Sequence, residues 1–190
     1  DDTLGTALDS DSRYSHLNPV IGLTYKILPN MTAYAGYSQA NRAPTPLELG
    51  CSDPAHPCLI DTFLVSDPPL KQVVSYTYEA GLRGTEFGQK LRWNIGAYRT
   101  ISKDDIINVA SEISGFGFFQ NAAKTRRQGV EAGLSYKEDR WSAYANYAFV
   151  DATFQTPLTL SSPQNPAADA DGNLFVVPGD HIPGIPQQRF

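Results

Sequence analysis

The chain has 190 residues, with 15 Lys and Arg against 20 Asp and Glu and a formal net charge of -5. This length suits one domain, and the absence of a basic tract argues against nucleic acid as a partner. Mean hydropathy is -0.32 and no apolar run approaches the ~20 residues of a transmembrane helix, which excludes a helical membrane protein. A β-barrel is not excluded, because its strands alternate between apolar and polar residues.

Alternation with a period of two predicts the first strands. From position 18 the chain reads NPVIGLTYKI, with alternate residues from Ile21 to Ile27 on one face. A short turn at 28–30 leads into MTAYAGYSQ, a second strand. Residues 41–70 then break the pattern with six prolines and are predicted to form a long loop.

The middle of the chain contains the clearest alternation. Residues 71–84 predict a third strand, and a tight turn at 85–88 leads into a fourth, KLRWNIGAYRTIS. We expect a long connection after Ile101. Its segment 102–125 is ambiguous, because it can also extend the flanking strands into a raised hairpin.

Two more strands and a second long loop complete the pattern. RQGVEAGLSYK predicts the fifth strand, and the stretch that starts at Trp141 predicts the sixth after a turn at 138–140. Residues 156–180 are predicted to be a polar loop, and the closing IPGIPQQRF begins a further strand. Short and long connections therefore alternate. This rhythm predicts an all-β fold, an antiparallel up-and-down meander that forms part of a transmembrane β-barrel with long extracellular loops.

The two faces of the predicted strands differ in composition. One face is apolar and is predicted to meet lipid: Leu23, Val74, Tyr76, Leu82, Ile95, Val130, Leu134, Ala145 and Tyr147. The other is rich in small polar residues and is predicted to face a lumen: Thr24, Ser75, Glu79, Asn94, Glu131 and Asn146. Trp93 and Trp141 lie on the apolar face beside short turns, where barrels carry an aromatic girdle. A soluble β-sandwich with core tryptophans is the alternative.

Several segments resemble the C-terminal half of the barrel of TonB-dependent outer-membrane receptors. Residues 41–49 read NRAPTPLEL, residues 68–84 read PPLKQVVSYTYEAGLRG and residues 118–134 read FFQNAAKTRRQGVEAGL. Asp-Asp-Ile-Ile at 104–107 and Ile-Pro-Gly-Ile-Pro at 182–186 follow the same family order. One departure is Gln72, where an acidic residue is common in the family, and we interpret it as neutral.

The resemblance implies a function for the chain. Residues 1–190 would be part of such a barrel, incomplete and without the plug, located in the outer membrane of a Gram-negative cell with its loops outside. The whole receptor would import a scarce nutrient, most often a ferric siderophore or other iron chelate. A TonB-type protein would supply energy through the missing plug. The other partner is outer-membrane lipid, and no cofactor is implied, since iron would arrive as cargo.

The two cysteines, Cys51 and Cys58, lie in the first long loop with His56 between them. A disulfide fits an oxidising periplasmic assembly route and would make the loop more rigid. A metal site is the alternative, but Cys-x6-Cys lacks zinc-ligand spacing, and free thiols are the third possibility. We therefore predict a disulfide and no metal site.

Candidate ligand-binding residues lie near the long-loop rim. Arg42, His56, Arg126 and Arg127 are candidates to attract an anionic ferric chelate, although ordinary loop charge is the alternative. On the polar face, Glu79, Arg83, Arg92, Glu131 and Lys137 are more simply explained by pairing across strands or with a plug. Asp-Ala-Asp-Gly-Asn at 169–173 resembles the start of a calcium loop, but the downstream Glu is missing and a solvated acidic loop explains it as well.

No catalytic pattern is present. The sequence has no Gly-x-Ser-x-Gly elbow, no His-Glu-x-x-His and no phosphate-binding glycine loop, and its paired carboxylates occur in predicted loops. We therefore predict that the protein is not an enzyme. Two rival functions remain: a small structural or adhesion barrel of the outer membrane, and a secreted β-sandwich that binds glycans or protein.

Overall fold

The structure, a computed structural model, describes residues 13–50, 58–59, 70–110, 116–162 and 164–190. In these ranges β-strands are the main secondary structure, and no helix is long and apolar enough to cross a membrane. The elements in chain order are β1 Val20–Leu28, β2 Met31–Arg42, α1 Pro46–Gly50, β3 Cys58–Leu59, β4 Val73–Glu86, β5 Leu91–Ala110, β6 Phe116–Lys137, β7 Ser142–Phe154, β8 Leu158–Ser161, β9 Asn173–Val176 and β10 Gln188–Arg189.

One antiparallel sheet dominates the molecule. Its order is β1-β2-β4-β5-β6-β7-β10, with β3 paired to the start of β6, while β8 and β9 form a separate hairpin. Main-sheet strands lie beside their neighbours along the chain, so the predicted up-and-down meander is confirmed. The strand predicted near the end of the chain is present as β10, which pairs with β7. The sheet does not close on itself within the described residues.

A continuous register fixes the two faces of the sheet. Leu82 pairs with both Ala33 and Ile95, and Ile95 pairs in turn with Ala132. Directly paired residues project from the same side of a sheet, and successive residues of a strand project from opposite sides. The two predicted residue sets therefore do lie on opposite sides. We call the side of Leu82 the apolar face and the opposite side the polar face.

Both tryptophans lie on the apolar face near the short turns, as predicted. Trp93 pairs with Gly84 on one side and with Leu134 on the other. Trp141 immediately precedes β7, and its ring centroid lies 5.2 Å from that of Tyr136. At the other end of the same face, the rings of Tyr37 and Tyr78 lie 5.0 Å apart. Aromatic pairs therefore mark both ends of the apolar part of this face.

The turn predicted at 85–88 is wrong by two residues. β4 continues to Glu86, which pairs with Leu91, and the side chain of Asn30 donates a hydrogen bond to Glu86 at 2.7 Å. The chain reverses at 87–90, where Phe87, Gly88 and Gln89 have φ of 52°, 64° and 71°. Because the ends of β4 and β5 pair, β4 continues two residues into the turn that was predicted to end at Gly88.

The ambiguous segment 102–125 belongs to the two longest strands. β5 has 20 residues and β6 has 22, and their pairing continues from Lys103 with Lys124 to Ala110 with Gly117. They extend past their neighbours as a raised hairpin, in which Val109 and Phe118 are buried. The long loop expected after Ile101 is therefore wrong, and the raised hairpin is confirmed.

Both long segments predicted as loops contain regular structure. The first includes α1 and β3, and the second contains the β8–β9 hairpin. This hairpin packs on the upper end of β7, where Phe154 and Val176 are buried against Ala122. Partly buried neighbours extend this small core: Ile107, Leu158, Leu160 and Ile182. The apolar residues of 156–180 thus stabilise a hairpin on the sheet.

Candidate functional site

The polar face near the short turns carries long side chains around a depression of about 840 Å³. Arg83 lies over the ring of Tyr34, with 5.9 Å from the guanidinium carbon to the ring centroid. Among the described residues, no carboxylate forms an ion pair with Arg83 or Arg92. The expected pairing of these arginines across strands is therefore absent here.

Glycines allow Tyr34 to lie flat against this face. Its hydroxyl oxygen is 2.5 Å from the position that a Cβ would take on Gly81, and equally close to that on Gly96. A side chain at either glycine would displace the ring from the wall. Gly81 and Gly96 thus leave the space that the Tyr34 ring occupies against the backbone.

Higher on the polar face, a buried carboxylate organises a hydrogen-bond network. Asp105 Oδ2 accepts a hydrogen bond from Thr125 Oγ1 at 2.6 Å and another from Arg127 at 2.9 Å. Asp104 has a left-handed backbone, with φ of 52°, immediately before this carboxylate. Thr125 is fully buried and Asp105 is 8% exposed, so water competes little for these contacts. The network fixes Arg127 in place beneath the raised hairpin.

The first long loop leaves the sheet through a capped helix. Arg42 forms two hydrogen bonds to the Glu48 carboxylate, at 2.6 and 3.0 Å. The Thr45 amide donates to Glu48 at 2.7 Å, and the Glu48 amide donates to Thr45 Oγ1 at 3.2 Å, which is a capping box with Pro46 at the first helical position. These contacts hold α1 at the end of β2.

Protonation of this ion pair is shifted towards the charged forms. The hydrogen bond to Glu48 is the main cause that raises the pKa of Arg42. Burial acts to raise the pKa of Glu48, but hydrogen bonds from Arg42 and Thr45 and the attraction of the guanidinium outweigh it. The pKa of Glu48 therefore lies below its ordinary value. Both side chains are charged at neutral pH and satisfy each other.

The same loop returns to the sheet through a second clamp. The Asn121 side chain accepts a hydrogen bond from the Lys71 amide at 2.9 Å and donates one to the Lys71 carbonyl at 3.1 Å. Gln72 links the two loop ends: it accepts from Asn41 at 3.1 Å and donates to the Ser15 carbonyl at 3.0 Å. A carboxylate at position 72 would lack this donor. The departure from the family pattern therefore has a structural role.

The predicted ligand-binding residues are not gathered on one face. Arg42 and Arg127 both lie on the polar face, each paired with a carboxylate. Arg126 projects from the apolar face, where it contacts Asp151 at 3.4 Å. His56 and Cys51 lie outside the described residues, and Cys58 lies in β3, with its side chain outside the description. The disulfide and the role of His56 remain predictions.

The segment resembling a calcium loop is a turn held by the side chain of Asp169. Asp169 Oδ1 accepts hydrogen bonds from the amide of Asp171 at 3.0 Å and from that of Asn173 at 2.8 Å. This Asx-type arrangement closes the tip of the β8–β9 hairpin. In the described part of the chain, no group of three or more His, Cys, Asp or Glu side chains is placed to hold a metal ion.

Sequence reasoning missed Glu48, Asn121 and Asp105 as organisers of the rim. The role of Glu48 could have been predicted, since Thr-Pro-x-Glu is a capping-box pattern. The opposite orientations of Arg126 and Arg127 could also have been predicted, because adjacent residues of a strand must project from opposite faces. Asn121 and Asp105 act through partners that lie 50 and 20–22 positions away, and local sequence does not reveal such contacts.

Comparison with known proteins agrees with this architecture. The β-barrel model of the TonB dependent receptor-like family matches residues 1–190, the whole chain. The ferric-pyoverdine M114 receptor PbuA of Pseudomonas sp. (strain M114) is 27% identical over 148 residues, which cover 76% of this chain and 16% of that receptor. This chain therefore spans under a fifth of that relative's length.

Solved structures share the fold at low sequence identity. The copper transporter OprC superposes with a TM-score of 0.55 at 21% identity, over 71% of this chain and 20% of that one. The siderophore receptor PirA of Pseudomonas aeruginosa gives 0.56 at 18% identity, over 75% and 29%. PirA of Acinetobacter baumannii gives 0.52 at 15%, over 75% and 25%. With the family match along its full length, the chain belongs to the β-barrel family of TonB-dependent receptors, which are receptors and transporters and not enzymes.

Proposed function

We propose that this chain forms part of the barrel wall of an outer-membrane receptor that imports a ferric siderophore, with its long loops outside the cell. The observation that carries the proposal is the difference between the two rims. At one rim, β4 and β5 are joined by a turn at 87–90, whereas at the other a long segment leaves through α1 and returns through the Lys71–Asn121 clamp. Long loops on a rigid scaffold are where binding residues concentrate.

The relative with the greater sequence likeness supports an iron chelate as the class of ligand. PbuA is named for ferric pyoverdine, and its likeness extends over 148 residues at 27% identity. OprC, which is named for copper, is matched by structure at 21% identity, a level that supports the fold alone. An iron chelate is therefore the proposed cargo, and the receptor needs no resident cofactor to bind it.

Of the four predicted ligand contacts, Arg42, Arg127 and His56 remain proposed, and Arg126 is withdrawn because it projects from the apolar face. Arg42 and Arg127 share the polar face at the loop end of the sheet, although each would have to exchange or share its carboxylate partner. Energy for release would come from a TonB-type protein acting through a plug.

We also propose that a Cys51–Cys58 disulfide stiffens the first long loop. Peptide mass spectrometry without reductant should show the link, whereas complete alkylation of both thiols would exclude it.

Uptake by the full-length receptor tests the proposal. Cells carrying a receptor that lacks residues 53–67 should lose uptake of ⁵⁵Fe-labelled ferric pyoverdine, while the barrel remains folded and heat-resistant in detergent. A control variant replaces the same residues with a Gly/Ser segment of equal length. If this control also loses uptake, the loop sequence rather than its length carries binding.

Two other results would contradict the proposal. Unchanged uptake in the deletion variant would place the binding site outside this loop. A parent receptor that takes up neither ⁵⁵Fe-labelled chelate nor labelled copper would favour the structural or adhesion barrel.

A further inference from the structure

The raised hairpin begins where the main sheet narrows from several strands to two. β4 pairs with β5 as far as Lys103, and β7 pairs with β6 as far as Thr125. Above this level, the described parts of β5 and β6 pair with each other, and β3 meets the hairpin at Phe116 and Gly117. A ribbon of two strands has little stability of its own. The orientation of the raised hairpin therefore depends on contacts outside the main sheet.

The alternation of faces shifts at this junction on both strands. Ser102 and Asp105 of β5 are both buried, although residues three apart in a regular strand project from opposite sides. Ala122 and Thr125 of β6 are buried in the same way. The register has no pair at Asp104, whose backbone is left-handed with φ of 52°. The junction is thus irregular on both strands, and the raised hairpin can tilt there relative to the sheet.

Asn121 ties the first long loop to this junction. Its Nδ2 donates hydrogen bonds to the carbonyl oxygens of Lys71 at 3.1 Å and of Asp104 at 2.7 Å, and its Oδ1 accepts one from the Lys71 amide at 2.9 Å. The ammonium of Lys71 also lies 3.9 Å from the Asp104 carboxylate. Residues 58–59 of the same loop pair with residues 116–117 at the other end of the hairpin. The first long loop is therefore attached to both the base and the tip of the raised hairpin.

The β8–β9 hairpin is attached to the raised hairpin by apolar packing. Val176 of β9 is buried against Ala122 and Phe154, and Ile107 of β5 packs on the same cluster. Asn121 and Ala122 are adjacent in β6, so the polar clamp and the apolar contact project from opposite sides of one strand. The described hydrogen bonds of Asn121 do not reach the β8–β9 hairpin. The raised hairpin thus connects the two long segments of the rim.

We propose that Asn121 is a positioning residue that couples the first long loop to the β8–β9 hairpin through the tilt of the raised hairpin. Continuous pairing of β5 with β6 above Asp104 makes both attachments move together. Loss of the clamp at Asn121 would free the tilt and loosen the contact between Ala122 and Val176. Two sites are coupled when both bias the same element. The consequence for binding rests on the proposed function, because loops held in a fixed arrangement bind a chelate with less loss of entropy.

Hydrogen exchange of the full-length receptor, followed by mass spectrometry without ligand, tests the coupling. Asn121→Asp keeps the acceptor but removes the donor of two hydrogen bonds. Amides of residues 70–73 and of the β8–β9 hairpin should both exchange faster, by about threefold to tenfold. The matched control is Gln72→Glu, the same change of amide to carboxylate, which removes the hydrogen bond to the Ser15 carbonyl. It should speed exchange at 70–73 and leave the β8–β9 hairpin unchanged.

The reverse experiment starts from the apolar attachment. Val176→Ala removes two methyl groups from the buried cluster, and the coupling predicts faster exchange at residues 70–73, since coupling between sites is reciprocal. Phe175→Ala is the control, because this neighbouring side chain is 67% exposed, and it should leave residues 70–73 unchanged. Resistance of the barrel to heat in detergent shows which variants are folded. If Asn121→Asp fails to assemble, this reverse experiment decides.

A folded Asn121→Asp receptor with parental exchange in the β8–β9 hairpin would overturn the proposal. An equal increase there in Gln72→Glu would overturn it too, as would unchanged exchange at residues 70–73 in Val176→Ala. Ferric pyoverdine binding separates this result from the proposed function: Asn121→Asp should release the chelate several-fold faster than Gln72→Glu does. A parent receptor that binds no ferric pyoverdine would contradict the proposed function alone, because exchange measures the coupling without a ligand.

Discussion

The half of the sheet on the short-turn side of Arg99, Gln128 and Asp151 and the half above them use the same strands but different stabilising contacts. These three hydrogen-bonded residues, which cross β5, β6 and β7 on the apolar face, are called the boundary row. Below it, Arg83 and Arg92 have no ion-pair partner in the described chain, and close packing occurs between aromatic rings and glycine backbone. Above it, Asp105, Thr125 and Arg127 form a buried network. The lower half thus leaves two arginines without a carboxylate partner in the described chain, whereas the upper half holds Arg127 through a buried network of its own.

This difference fits the two environments proposed for the wall. A wall between lipid and a plugged interior needs smooth faces, because lipid offers no hydrogen bonds and a plug supplies its own partners. A raised hairpin and anchored loops outside the membrane need internal contacts, because water competes for every exposed polar group. The boundary row marks the change.

The largest effect is expected where two backbones approach most closely. A Cβ at Gly129 would collide with the carbonyl oxygen of Phe149 on the neighbouring strand. Gly129→Ala should therefore separate β6 from β7, at a cost of about 3 kcal/mol or a failure of assembly. The measurement is the fraction of heat-resistant, folded receptor in isolated membranes.

Gly22→Ala is the matched control for this change. Its Cβ would meet the Ala35 carbonyl oxygen at 3.8 Å, an ordinary van der Waals distance. This variant should fold like the parent. Equal folding of both variants would show that the approach of β6 and β7 is looser than the structure indicates.

The next effect concerns the buried network of the upper half. Asp105→Asn removes the charge that two donors share, and we expect a loss of about 2 kcal/mol in local stability. Hydrogen exchange of the β5 and β6 amides in the full-length receptor measures it. Asp104→Asn, a more exposed neighbour 3.9 Å from Lys71, should cost less than about 0.5 kcal/mol. Similar exchange in the two variants would contradict the central role of Asp105.

A smaller effect is expected at the capped helix. Glu48→Gln weakens both the capping box and the ion pair with Arg42, so α1 should lose about 1 kcal/mol of local stability. The folded-state pKa of Glu48 is lowered, so its contribution is present above the unfolded pKa and is lost as pH falls through the folded pKa. Amide protection factors in α1 should fall on acidification in the parent and stay flat in the variant.

The smallest effect is expected at the short-turn rim. Lys90 donates to Glu138 at 2.8 Å between neighbouring turns, and this hydrogen bond lowers the pKa of Glu138. The pair is exposed, and water and salt screen it. Glu138→Gln should leave the melting temperature of the receptor unchanged in physiological salt. A clear drop would mean that the short turns contribute more to assembly than the comparison of the two halves implies.

Sequence alone predicted the lower half better than the upper half. Strict alternation around Leu82, Ile95 and Leu134 determined strand, face and register, since a slip of one residue would exchange the faces. The upper half resisted prediction because the left-handed backbone at Asp104 breaks the regular alternation of faces within β5. The β8–β9 hairpin was also hidden, because each of its strands has only 4 residues.

The candidate site shows the same division. Periodicity places Arg127 and Arg126 on opposite faces, but it does not reveal that Asp105 holds one and Asp151 the other. Those pairs join residues that are distant along the chain and meet only through strand register. The loop clamps at Glu48 and Asn121 depend on the same kind of contact.

Site-directed spin labelling at two adjacent residues tests most directly whether the sheet separates lipid from an aqueous or plugged interior. Leu134 lies on the apolar face beside Trp93, and Ser135 lies on the polar face beside Arg92. In the full-length receptor in lipid bilayers, a label at position 134 should be accessible to oxygen and shielded from a water-soluble nickel reagent. A label at position 135 should show the reverse, or be shielded from both by a plug. Equal accessibility of the two labels to the nickel reagent would contradict the membrane-wall account.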